Sequence, residues 1–291
     1  MGIQAATTGQ LEYAQNLIIA QWKFTAEHNA PCLNLIDRFT LPKGNKTYRF
    51  PKVGQATFLG LVDGVDMVDS QDINLSYVDT SPSEVGAKFI LTDKMVRQSS
   101  DDAFLVIGRQ LGDGMARKRD TDIITLFASL DNAWGADGAI LGLTQATGLV
   151  TLATTYKFIS PVSCVHHPNA LGQLSKGYMI GTTAGWAPAV GVINGEAARR
   201  LANWFTIAIN GVNFYHDGNI AKIAAVDSGY GAIFSKGAMA CVESQAPTTA
   251  RERDESLRGT EVIMVADYIM VEVDGGQGAS ARYEIGNSRT T

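Results

Sequence analysis

The sequence predicts an α+β protein, and three stretches carry that expectation. One is a long helix over residues 99–130, and another is a long strand over residues 260–273. The third is a glycine-punctuated extended segment between residues 36 and 96, with too little apolar mass to bury itself.

In the helix, Ser99 and Ser100 offer N-caps, and Asp101 and Asp102 suit the positive end of the helix dipole. Phe104, Ile107, Leu111 and Met115 run along one face, and Ile123, Ile124, Phe127 and Leu130 resume it. Arg109, Asp113 and Arg117 are spaced for ion pairs on the solvated side. Its length would be about 45 Å at 1.5 Å per residue. Gly108, Gly112 and Gly114 weaken it, so a bend or close packing is expected there. The cluster Arg117-Lys118-Arg119 reads as a solvated face.

Residues 260–273 are apolar on both faces for most of their length, which predicts a sandwiched strand. Asp274-Gly275-Gly276-Gln277-Gly278 turns it, and residues 281–285 can return as a hairpin.

The extended segment begins with a turn cluster at 41–45 and an alternating strand at 46–50, which Pro51 keeps out of a sheet centre. Gly54, Gly60 and Gly64 then punctuate the chain. Residues 72–78 alternate again, and Pro82-Ser83-Glu84 opens a second extended piece over 85–96. Such a segment has to lie on something else.

Elsewhere, residues 10–28 carry an amphipathic helix through Leu11, Ala14, Ile18 and Trp22, stopped by Pro31. Residues 131–160 are glycine-rich and then apolar. Residues 162–168 read as a short buried strand, and 169–176 as a short helix. Residues 194–205 read as a helix capped by Asn194. Extended pieces come after it at 206–209 and 212–215, with a short apolar element at 232–234. Residues 247–259 are charged and mixed, a loop or a strand edge.

Composition bounds the function. The chain has 291 residues with 24 Lys plus Arg against 29 Asp plus Glu, a net charge of −5 that argues against a strongly basic nucleic-acid binder. With 45% hydrophobic residues the chain is not intrinsically disordered. Thirty glycines against 8 prolines predict many turns rather than a helical bundle. Cys32, Cys164 and Cys241 are far apart and odd in number, consistent with buried thiols in a reducing cytoplasm. The sequence shows no secretory leader, no membrane-length apolar run and no myristoylation start, since Ala6 stands where Ser or Thr is wanted. A soluble, intracellular product is therefore expected.

Candidate chemistry is sparse. Cys164, His166 and His167 suggest zinc, but adjacent histidines on a strand face opposite ways and a fourth ligand is missing. They read instead as one core and one surface histidine beside a proline turn. Gly112-Asp113-Gly114 lies mid-helix and lacks the last glycine of a dinucleotide fingerprint, and Gly229-Tyr230-Gly231 fails likewise. His28, His166, His167 and His216 have no nucleophile context. Asp63, Asp66, Asp69 and Asp72 recur every third residue but lack a calcium-loop pattern, so they read as a solvated acidic loop. No catalytic, cofactor-binding or metal-binding residue is assigned, no cofactor is implied, and no enzyme is expected.

The order of these segments resembles the major capsid protein of tailed bacteriophages, the Hong Kong ninety-seven-type fold. Leu35-Ile36-Asp37-Arg38-Phe39 followed by 44–51 resembles that family's entry into its extended loop, and 82–93 the descending strand. Val165-His166-His167-Pro168 resembles the step into its axial domain, and 231–238 and 251–261 its late return segment. The resemblance implies an N-terminal arm (1–35), an extended β-loop (36–96), a peripheral domain with the spine helix (97–165) and an axial domain (166–237). Returning peripheral strands (238–291) complete it. It implies a structural protein whose hexamers and pentamers form an icosahedral shell around double-stranded DNA, contacted non-specifically. Portal and separate scaffolding, decoration or cement proteins would be partners, with no membrane. The product would reside in the virion capsid after synthesis in the host bacterial cytoplasm. Some members cross-link a loop Lys to a neighbour's Asn; Lys43, Lys46 and Lys52 are present, but nothing selects a pair and no cross-link is expected. In such a shell Tyr48, Phe50, Phe58, Leu61, Ile73 and Leu75 would be buried against a neighbouring subunit. An encapsulin-type bacterial compartment in the same fold is the alternative, and a soluble α/β enzyme is a third reading.

Overall fold

The computed structural model describes residues 31–54, 75–98, 103–179, 206–223 and 226–286, with isolated positions between 58 and 66. The helices expected at 10–28 and 194–205 lie outside the described residues, as do the first four residues of the long helix.

The chain enters through a short helix α1 (Cys32–Leu35) and strand β1 (Asp37–Thr40). Among the described residues, strands β2 (Tyr48–Val53) and β3 (Leu75–Thr80) pair only with each other, as a two-stranded ribbon. Next come β4 (Ser83–Thr92), a short helix α2 (Asp93–Gln98) and the long helix α3 (Ala103–Leu126). At 24 residues α3 is about 36 Å long. It ends four residues before the expected boundary, in a turn where the Phe127 amide donates to the Ile124 carbonyl at 3.0 Å. Among the described residues nothing lies within 4 Å of a Cβ built at Gly108, Gly112 or Gly114, so the expected close packing is not found there.

Two longer strands build the first sheet. Strand β10 (Met239–Asp254) and strand β11 (Gly259–Glu272) pair antiparallel, flanked by β1 and β4 in the order β1-β10-β11-β4. Burial along β11 alternates. Val262, Met264, Ala266, Tyr268 and Met270 face Leu111, Met115, Ile123, Ile124 and Phe127 in one core. Ile269, Val271 and Val273 pack on the other side against Phe39, Tyr48 and Phe50. The strand is therefore sandwiched, between the spine helix and the ribbon root. The charged stretch 247–259 is mostly the outer half of β10, which continues past β1 as an open edge. Register shifts around Pro247, which has no amide to donate, interrupt that edge.

The second sheet has six strands in the order β5-β12-β9-β6-β8-β7. These are β5 (Asn132–Gly135), β6 (Val162–His166), β7 (Thr206–Ile209), β8 (Val212–His216), β9 (Ser228–Ser235) and β12 (Gly278–Glu284). Helices α4 (Leu143–Thr155) and α5 (Pro168–Met179) cover it. Strands β7 and β8 turn on Asn210-Gly211, both at positive φ, the backbone that a two-residue hairpin of this twist requires. The structure corrects the expected hairpin between 260–273 and 281–285. Strand β12 leaves β11 through a turn at Gly275–Gln277 and joins the other sheet, pairing with β9 and β5. Ala279, Ala281 and Tyr283 are apolar anchors for the second core, so burying them outweighs pairing back on β11.

Helix α4 falls where only a glycine-rich, then apolar, stretch was expected. Its threonines are poor helix formers, but four hydroxyls, those of Thr147, Thr151, Thr154 and Thr155, donate to the carbonyl four residues earlier at 2.9–3.0 Å. Ala146, Leu149, Val150, Leu152 and Ala153 are buried on its inner face, and that burial decides the helix.

Candidate assembly surface

The ribbon β2–β3 is anchored at its base and bare toward its tip. At the base, Phe39, Tyr48 and Phe50 form an aromatic cluster with centroids 4.7–5.5 Å apart. Tyr48 and Phe50 therefore do not await a neighbour, contrary to the sequence expectation; they pack on β10 and β11 of their own chain. Lys52 reaches Asp274 at 2.6 Å and ties the ribbon to the turn after β11. Arg49 grips Asp79 across the two strands at 2.6 and 2.8 Å and holds that carboxyl below its usual range. Beyond these contacts, Val53, Leu75 and Tyr77 are half-exposed or more and Phe58 is 96% exposed. Asp63 and Asp66 are exposed as expected, while Asp69, Asp72, Leu61 and Ile73 lie outside the described residues. A second group of exposed apolar side chains, Ile140, Leu143, Tyr156 and Ile159, lies around α4.

The sheet that carries the ribbon is braced at its rim. Arg253 grips Asp93 at 2.7 and 2.8 Å, joining β10 to the start of α2, and Lys88 meets Glu261 at 2.6 Å between β4 and β11. These exposed pairs fix direction more than they add stability.

The chemistry candidates resolve into core packing. Cys164 and His166 are both fully buried on β6. His166 sits with Nε2 3.2 Å from the Ala281 carbonyl, and its Nδ1 accepts the His167 amide at 2.9 Å. That pattern places the ring proton on Nε2, and burial lowers the pKa to about 3, so the ring is a neutral bridge between β6 and β12. The Gly231 backbone lies flat on that ring, and any side chain at 231 would collide with it. His167 accepts the Asn169 amide at 3.1 Å and starts α5. His216 ends β8 in register with His166, and His28 lies outside the described residues. All three cysteines are free and buried.

Two polar groups on α3 depart from the expected solvated face. Arg119 is buried, with Nη1 2.8 Å from Glu243 Oε1 and its guanidinium 4.8 Å from the centre of the Tyr268 ring. Its Nε and Nη2 find no acceptor among the described residues. The signal was present in the sequence: Arg119 lies on the same four-residue row as Leu111, Met115, Ile123 and Phe127. Arg119→Ala therefore costs about 1–3 kcal/mol, because Glu243 loses its partner in a mostly buried place. Lys118→Ala, which breaks only the exposed pair to Asp122, costs about 0–1 kcal/mol. Thermal melts of the two variants side by side check the order. Asp120, the next residue, is also buried and meets Cys32 and Asp217, the one grouping of three ligating side chains among the described residues. Each of its carboxyl oxygens already accepts a protein hydrogen bond, so the grouping is built as a hydrogen-bonded hub.

Comparison with known proteins matches the architecture. The chain covers 89% of its length on a Mycobacterium phage Che8 structure and 92% of that chain, at 14% identity and a TM-score of 0.68. The capsid of a native GTA particle matches over 92% of this chain and 98% of that one, at 12% identity and a TM-score of 0.67. The holo-SrpI encapsulin complex from Synechococcus elongatus matches over 100% and 99%, at 10% identity and a TM-score of 0.62. These likenesses establish the fold. None of the curated protein sequences matches. The family model described as phage capsid protein matches residues 77–276, more than half of the chain and most of both sheets. The chain belongs to the phage capsid protein family.

Proposed function

We propose that this capsid protein assembles as hexamers and pentamers into a closed icosahedral shell around double-stranded DNA. The observation that carries the reading is the β2–β3 ribbon, which pairs with no other strand among the described residues and holds Phe58 96% exposed. An apolar projection of that kind is stabilised by burial on a neighbouring copy, and main-chain pairing with few anchors would set the angle between subunits. The net charge of −5 suits a container that contacts its nucleic acid without gripping it. In this reading residues 1–35 form an arm, 36–96 the extended loop, 97–165 and 238–291 the peripheral domain, and 166–237 the axial domain. The axial domain's neighbours surround the capsomer axis. Portal, scaffolding or decoration proteins would complete the virion, and the chain has no catalytic role. The match to a phage capsid family supports a viral shell over the encapsulin alternative.

Purified full-length protein is expected to elute far above 31.1 kDa and to show capsomers or closed particles by negative-stain electron microscopy. A clean monomer at high concentration overturns the proposal. Particles that protect double-stranded DNA from nuclease support the viral reading, and uniform particles enclosing only protein support the encapsulin one.

A further inference from the structure

Three distant segments meet at a buried acid pair. Asp120 comes from α3, Asp217 from the loop after β8, and Cys32 from α1, and all three are 0% exposed. All four carboxyl oxygens are used. Asp120 accepts the Cys32 amide at 3.2 Å and the Asn219 side-chain amide at 3.0 Å. Asp217 accepts the Asn219 backbone amide at 2.8 Å and the Cys32 thiol at 3.3 Å. A carboxyl oxygen of Asp120, one of Asp217 and the Cys32 sulfur all lie within 4.8 Å of one another. Two anions that close and shielded from water repel each other, so a proton on one of them relieves the pair. The nearest cation on the same helix, Arg119, is committed to Glu243. From the β6 side His166 contributes its backbone carbonyl, which accepts the Asp217 amide at 3.0 Å, and its ring is turned to Ala281. Tyr215 and His216 immediately precede Asp217 in the chain and are the titratable groups on that strand end.

We propose that Asp120 and Asp217 hold one proton between them and work as a proton-dependent clasp, tying the segment at Cys32 and the loop after β8 to the spine helix. With the proton present, the hub is a satisfied network of neutral and singly charged groups. Once it leaves, two anions face each other in a site closed to water, and their repulsion loosens all three segments. Burial, and then the Asp217 carboxyl, raise the pKa of Asp120 from 3.8 to about 7, so release falls in the neutral range. Linkage gives the sign. The folded state keeps a proton that the unfolded state gives up, so this contribution is complete below about pH 4. It declines as pH rises toward about 7 and is level beyond.

The test measures the thermal midpoint of the full-length protein between about pH 5 and about pH 8 for the wild type and for D217N, which keeps a hydrogen-bonding side chain but removes one charge. The wild-type midpoint should fall across that range. The D217N profile should be flatter and should lie above the wild type at the alkaline end. Parallel profiles for the two proteins overturn the clasp. Should D217N fail to fold, infrared spectroscopy of the wild type decides. A protonated-carboxyl carbonyl band present at acidic pH and lost by about pH 8 supports the shared proton, and its absence at acidic pH overturns it.

Discussion

Phe127→Asp is expected to leave no folded subunit. Phe127 is 0% exposed, stands at the end of the spine helix and lies 5.7 Å from Phe234, ring centre to ring centre. It joins the helix to the end of β9, and so to both sheets. Truncating a buried phenylalanine costs about 3–5 kcal/mol. An unpaired carboxylate in the same place costs several more. The sum is comparable to the total stability of a domain, about 5–15 kcal/mol. Soluble yield and far-ultraviolet circular dichroism check this, with Phe127→Leu as the control that keeps most of the apolar volume and should melt cooperatively. A Phe127→Asp protein that melts near the wild-type midpoint would mean the helix is not held to the sheet through this residue.

Replacing residues 54–74 by a short Gly-Ser linker should separate folding from assembly. The deletion begins after β2 and ends before β3, leaving the aromatic cluster, the Lys52–Asp274 tie and both cores in place. A cut at residue 50 would be placed too early. That cut would have removed Phe50, which is buried on its own chain, and damaged the body as well as the loop. The variant is expected to keep native-like circular dichroism and a cooperative melt while forming no closed shells. Uniform closed particles in electron micrographs of the deletion variant contradict the role assigned to the ribbon. A variant that does not fold places residues 54–74 in the core instead.

Much of the candidate surface is legible in the sequence. The alternating residues 46–50 and 72–78, with glycines between them and few apolar neighbours, already describe a ribbon unable to support itself. The strand at 162–166, the helix that Pro168 opens and the paired strands at 206–209 and 212–216 obey the same local rules. Helix α4 is not legible, because Thr and Gly lower local helix propensity and only the fold supplies the burial that offsets it. The partners of Arg119 and Asp120 are not legible either: the helical row places Arg119 on the inner face, but Glu243, Cys32 and Asp217 arrive from 88 or more residues away.

Local elements and an unsupported extension are written into the chain directly, because periodicity, caps and turn residues act within a few positions. Which sheet each strand joins is settled by long-range packing instead. Residues 281–285 carry a strand pattern that fits a return hairpin on β11 as well as it fits the second sheet. The choice falls to β9 and β5 because Tyr283, Ala279 and Ala281 are buried there against the apolar faces of α4 and α5. Burial of that kind is a sum over residues far apart in the chain, and no local pattern contains it.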